Sequence, residues 1–60
     1  MGLRERFLKI YADLPLALRK EIILVSDKEP LTWNAIYIEV FHTTSKSDMM
    51  LKKLEELKII

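Results

Sequence analysis

The chain has 60 residues and a formal net charge of +1, with no cysteine, one histidine and one glycine. A protein of this length has room for one small domain, because it buries only about 60% of the surface that its unfolded chain exposes. The absence of cysteine excludes disulfides and cysteine–zinc sites, and the lone Gly2 excludes phosphate-binding glycine loops. We therefore expect a single domain over residues 1–60.

Half of the residues are apolar and 32% are charged, which is not the composition of a disordered chain. Small domains without disulfides or metal often gain burial from a second copy. The composition therefore predicts a homodimer or higher homo-oligomer, with a different protein partner as an alternative. The longest apolar run covers residues 22–25, far short of the roughly 20 residues of a membrane span. We expect a cytoplasmic protein with no membrane partner, and the lack of glutamine favours a thermophilic source.

The N-terminal segment is predicted to be a helix over residues 3–12. Its apolar residues recur at helical spacing and are Leu3, Phe7, Ile10, Tyr11 and Leu14. Asp13 and Pro15 are expected to end this helix.

The second segment, residues 14–25, fits two structures. As a helix it places Leu14, Ala17, Leu18, Ile22 and Val25 on one face. Its last residues are rich in β-branched side chains, which favours a short strand at residues 20–26. We favour a helix through about Ile23 and leave the strand as the alternative.

A polar turn is predicted at residues 26–30, and Thr32 is the predicted N-cap of the next helix. The apolar face of that helix consists of Trp33, Ile36, Tyr37, Val40 and Phe41. A second break at residues 43–46 precedes the last helix, for which Ser45 or Ser47 is the expected N-cap. The apolar face of this last helix consists of Met50, Leu51, Leu54 and Leu57. The predicted fold is all-α, with three to four short helices.

Catalytic and metal chemistry have little support in the sequence. Glu39 and His42 form Glu-x-x-His, half of the ligand set of dimetal helix bundles, but no second copy of this motif exists. Glu39 also lies off the apolar stripe, so the pair is predicted to face solvent. The carboxylates fall mostly at caps, turns and polar helix faces, where no water-excluding pocket is expected. We predict no enzyme activity, no catalytic residues, no metal and no cofactor.

From Pro30 to Ile60 the chain resembles the core of a helix-turn-helix domain of the winged-helix kind, without a wing. Residues 31–41 match the first helix of that pair, residues 43–46 the turn, and residues 47–60 the recognition helix and its exit. The resemblance implies duplex DNA as a partner, and the residues implied to contact it are Lys46, Ser47, Met49, Lys52 and Lys53. Charge gives no separate support for DNA, because residues 31–60 carry four basic and four acidic groups.

We therefore predict a non-catalytic helical protein-interaction module that self-associates, with a helix-turn-helix DNA-binding regulator as the alternative. Aromatic residues that repeat every four positions, together with the apolar C-terminal end, are expected to form the contact surface. The predicted interaction residues are Trp33, Tyr37, Phe41, Met50, Leu54, Leu57, Ile59 and Ile60.

Overall fold

The computed structural model describes residues 2–60, which form three α-helices and one two-stranded antiparallel sheet. In chain order the elements are α1 (Leu3–Asp13), a 3-10 turn (Leu18–Lys20), β1 (Ile22–Ser26), β2 (Glu29–Thr32), α2 (Trp33–Phe41) and α3 (Ser47–Glu56). The fold is mixed α/β, so the prediction of an all-α protein is wrong.

The error lies in the segment that follows α1. The sequence favours a second helix through about Ile23, but only the 3-10 turn at Leu18–Lys20 forms there, and β1 begins at Ile22. The alternative prediction, a short strand within residues 20–26, corresponds to β1. Consecutive β-branched residues lose little side-chain freedom in a strand, and here Leu24 gains a cross-strand partner in Leu31.

The two strands are joined by the two-residue loop Asp27-Lys28. Both loop residues have positive φ angles, 51° and 67°, as a type I′ turn requires. The register pairs Ser26 with Glu29 and Val25 with Pro30. Two-residue loops of this type match the right-handed twist of the strands, so a tight hairpin forms although the loop contains no glycine.

Helix α2 begins as the sequence predicts. The Thr32 side-chain oxygen accepts a hydrogen bond from the backbone N–H of Ala35, at 3.1 Å, which confirms Thr32 as the N-cap. At the other end Thr43 adopts a φ of 50°, and the Thr44 N–H donates to the Glu39 carbonyl. This bond closes the helix in the manner of a Schellman motif and turns the chain toward α3.

The predicted serine caps of α3 are wrong. Lys46 occupies the N-cap position without a side-chain cap, and Ser47 is the first residue of the helix. The Ser47 hydroxyl donates to the Thr44 carbonyl at 2.7 Å, so the preceding turn uses the oxygen that was expected to cap α3. At its C-terminal end the helix closes with Ile59 N–H donating to the Leu54 carbonyl, which returns the last two isoleucines toward the core.

One core collects side chains from the three helices and from both strands. Its buried apolar residues are Phe7, Leu24, Leu31, Trp33, Ile36, Val40, Met50, Leu51 and Leu54. Because Leu24 and Leu31 face each other across the hairpin and are both buried, the sheet packs one face on the helices. Val25 and Pro30, which pair on the opposite face, are both exposed, so that face of the hairpin is left uncovered.

Candidate interaction surface

Three of the eight predicted interaction residues lie in the core. Trp33, Met50 and Leu54 are buried, so in this fold they contribute to stability rather than to a surface. In α2 and α3 the buried residues Trp33, Ile36, Val40, Met50, Leu51 and Leu54 all belong to the predicted apolar faces, whereas Phe41 and Leu57 of those faces are exposed. The chain covers most of these faces itself, because the hairpin and α1 pack where a partner was expected.

The other five predicted residues are divided between two regions. Tyr37, Ile59 and Ile60 are half-buried against the core. Phe41 and Leu57 are 58% and 56% exposed. Phe41 belongs to an aromatic stack on α2, whereas Leu57 lines a groove beside β1.

The first surface, here called the aromatic face, consists of Tyr11, Tyr37, Phe41 and Ile38. The Tyr11 and Tyr37 rings are parallel, with centroids 4.2 Å apart and planes inclined by 7°. Phe41 continues the row, 5.7 Å from Tyr37. Ile38 is 55% exposed and follows Tyr37 on the same helix. An apolar surface with aromatic rings held in place is the composition that favours protein contacts.

Arg19 fixes the inner end of the aromatic face. Its guanidinium lies over the Tyr11 ring at 4.3 Å and donates to the Tyr11 carbonyl at 3.1 Å. The Tyr11 hydroxyl donates to the Asn34 side-chain oxygen at 2.7 Å. These contacts fix the Tyr11 side chain of α1 against α2, so the rings of the aromatic face are held in place. Sequence reasoning missed Arg19, because nothing in a single arginine signals that it will stack on a ring eight residues earlier.

The second surface, here called the strand-edge groove, runs between β1 and the C-terminal part of α3. Its apolar lining includes Ile22, Val25 and Leu57, which are 58%, 63% and 56% exposed. Lys53 and Glu56 line its helical side. Sequence reasoning missed Ile22 and Val25 as surface residues, because it assigned both to the buried face of a helix.

The hydrogen-bonding groups of Val25 face the strand-edge groove. Ser26 and Glu29 flank a two-residue loop and form a hydrogen-bonded pair, so the next pair, Val25 and Pro30, is of the non-hydrogen-bonded kind. The N–H and C=O of Val25 therefore point away from β2. The backbone nitrogen of Pro30, the partner of Val25, points away from β1 in the same way. Because proline has no N–H, no donor is left unpaired there.

The residues implied to contact DNA are only partly accessible. Lys46, Met49, Lys52 and Lys53 are exposed, but Ser47 is buried with its hydroxyl engaged. Acidic side chains share this helix: Asp48, Glu55 and Glu56 are all exposed. Glu55 also pairs with Arg6 of α1, at 3.2 Å. The outer side of α3 therefore carries mixed charge.

The Glu39–His42 pair is not assembled into a metal site. Glu39 accepts a hydrogen bond from the Thr44 hydroxyl, while His42 is exposed and meets Phe41 edge-on at 5.4 Å. Within residues 2–60 no three His, Asp or Glu side chains are grouped to hold an ion. Over the same residues, no helix has the length and apolar character needed to cross a bilayer.

Comparison with known proteins gives no relative: no family model, no curated protein and no solved structure matches the chain significantly.

Proposed function

We propose that this protein is a non-catalytic protein-interaction module that associates with further copies of itself. The observation that carries the proposal is the amount of apolar side chain left on the surface of so small a protein. Within residues 2–60 the large apolar residues that are exposed are Leu16, Leu18, Ile22, Val25, Ile38, Phe41, Met49 and Leu57.

Several of these residues are grouped rather than scattered. Ile22, Val25 and Leu57 share the strand-edge groove. Ile38 and Phe41 lie three residues apart on α2, so they are neighbours on the surface of that helix. Isolated exposed apolar residues are normal on soluble proteins, whereas groups of them mark interaction sites. Fully burying one such side chain stabilises by about 1.5–3 kcal/mol, so covering a half-exposed group of three contributes on the order of 3 kcal/mol.

Helix α2 supports the proposal independently. Only one of its nine residues, Glu39, is charged, and apolar side chains occupy its outer side as well as its inner side. A helix that is apolar nearly all round is normally covered on all sides. The chain covers the side of Trp33, Ile36 and Val40, and a partner would cover the side of Ile38 and Phe41.

The mass in solution tests self-association. Size-exclusion chromatography with light scattering at micromolar concentrations is expected to give a mass at least twice the 7.1 kDa of one chain, and a lower mass on dilution. A mass of one chain at every concentration up to the millimolar range would contradict the proposal.

DNA binding by the α2–α3 pair is the second candidate, supported by the order helix, turn, helix and by three exposed lysines at residues 46, 52 and 53. If the pair binds DNA, adding the protein to a fluorescently labelled duplex raises the fluorescence anisotropy at low salt, and the affinity falls steeply as the salt concentration rises. No anisotropy change with micromolar protein at low salt would remove this candidate. Lys52→Glu would serve as its matched variant, because Lys52 lies outside the strand-edge groove.

A further inference from the structure

We propose that two copies of the chain pair their β1 strands antiparallel, so that the two hairpins join into one four-stranded sheet. This inference rests on the proposed self-association and assigns it to one surface, the strand-edge groove. Addition of a strand to an open sheet edge uses main-chain hydrogen bonds for affinity and alternate side chains for specificity.

The two edges of the hairpin differ in whether they can accept another strand. The outer edge of β2 contains Pro30, which removes an outward N–H, and the charged Glu29. Proline and charge are two of the devices by which proteins block edge pairing, and a β-bulge is a third. Strand β1, Ile-Ile-Leu-Val-Ser, has neither proline nor charge, and its register shift lies between Ile22 and Leu24. Beyond that shift Val25 directs an N–H and a C=O outward, without a backbone partner among the described residues. The hairpin is therefore closed on the edge of β2 and open at Val25 on the edge of β1.

The side chains beside the open edge are apolar and uncovered. Val25 and Ile22 are the two most exposed residues of β1, and Leu57 reaches the same groove from the end of α3. A strand placed along β1 would cover this lining at the same time as it completes the hydrogen bonds. The main-chain hydrogen bonds alone would contribute little, and so would the apolar burial alone, but a single strand-to-strand contact supplies both.

The charges of the groove identify a second copy as the occupant. Lys53 and Glu56 lie three residues apart on α3, so they are neighbours along one face of that helix. A two-fold axis across β1 reverses the direction of the partner's α3. If the two α3 helices lie side by side in the dimer, that reversal sets Lys53 of each copy opposite Glu56 of the other, which gives two attractive pairs. The groove is thus complementary to itself, as a symmetric dimer interface requires.

The first test compares Val25→Lys with Leu16→Lys. Both place a lysine at an exposed apolar position, 63% and 73% exposed, but only Val25 lies on the open edge, and Leu16 belongs to neither candidate surface. Val25→Lys is expected to raise the dimer dissociation constant by roughly tenfold or more, measured by sedimentation equilibrium, while Leu16→Lys leaves it within roughly twofold. Circular dichroism checks that both variants fold. If Val25→Lys fails to fold, synthetic protein N-methylated at Val25 removes only the outward N–H and replaces it in the comparison.

The second test uses the charges. Lys53→Glu and Glu56→Lys each create two like-charge pairs in a homodimer, so each variant alone is expected to dimerise less than the wild type. Mixing the two variants creates two attractive pairs, and a heterodimer is expected to form. Recovery of dimerisation on mixing cannot come from effects within one helix, because each variant chain still carries two like charges at positions 53 and 56.

The outcomes separate this inference from the proposed function. An intact dimer of folded Val25→Lys, together with dissociation of an Ile38→Lys variant of the aromatic face, would overturn β1 pairing and leave self-association standing at the aromatic face. A wild-type chain that is monomeric at all concentrations would overturn both, and the groove would then be open to a strand of another protein. Loss of the dimer in Val25→Lys together with recovery in the mixed charge variants supports the inference.

Discussion

Replacing Phe7 with alanine is expected to leave the protein largely unfolded at room temperature. Phe7 is fully buried, and its ring lies 5.6 Å from that of Trp33 and 6.1 Å from that of Tyr11. Truncating a buried phenylalanine costs about 3–5 kcal/mol, through lost burial and the cavity that remains. A 60-residue domain has a total stability of roughly 3–9 kcal/mol, so this loss removes much or all of it. Urea denaturation followed by far-UV circular dichroism measures the change.

Phe41→Ala is the matched control for Phe7→Ala. It deletes the same side chain from a position that is 58% exposed, at the outer end of the aromatic face. Its unfolding free energy is expected to stay within about 0.5 kcal/mol of the wild type, the range for surface substitutions. Equal losses in the two variants, or a loss below about 1 kcal/mol for Phe7→Ala, would contradict the core described above.

Trp33→Ala is expected to destabilise the protein by about 3–5 kcal/mol without any direct effect on an interface. Trp33 is the first residue of α2, is buried, and packs against Phe7, so it connects α1 to the hairpin end of α2. The backbone bond from the Trp33 N–H to the Glu21 carbonyl survives the substitution, so the loss reports the side chain. Denaturation is followed by circular dichroism, because the only tryptophan is removed.

Because Phe7 and Trp33 are in contact, their effects should not add. The double variant is expected to lose less stability than the sum of the two single losses, since each alanine already empties part of the same site. A Trp33→Ala loss below about 0.5 kcal/mol would place this side chain outside the core.

The helices were predictable from the sequence because each carries a long pattern of apolar residues at helical spacing. Thr32 was predictable as a cap for a local reason: its side-chain oxygen needs only the N–H of Ala35, three residues on. The Ser47 cap failed because the competing partner, the Thr44 carbonyl, comes into reach only when the turn between α2 and α3 is formed.

The hairpin was not predictable to the same degree. A short apolar run such as residues 22–25 fits a buried helix and a strand equally well. The usual turn signal is also missing, since Asp27 and Lys28 occupy positions with positive φ where Asn-Gly is the common choice. The second strand has four residues and contains Pro30, which lowers the strand signal further.

The candidate surface was predicted only in part for a related reason. Periodicity shows which side of a helix is apolar, but it does not show whether the chain itself or another molecule covers that side. Phe41 and Leu57 were assigned to the surface and are exposed, whereas Trp33, Met50 and Leu54 are covered by other elements of the chain. Val25 became a candidate only when the register showed its N–H pointing away from β2.

The amide hydrogen of Val25 gives the most direct test of the view that a second copy covers the open edge. Exchange with solvent is followed by NMR on isotope-labelled protein at two concentrations, one well above and one well below the dimer dissociation constant. The Val25 amide is expected to be protected in the concentrated sample and unprotected in the dilute one, whereas the Leu24 amide, which faces β2, is protected in both. A Val25 amide that exchanges as fast as an unbonded amide in both samples, while light scattering shows a dimer in the concentrated one, would contradict pairing through β1.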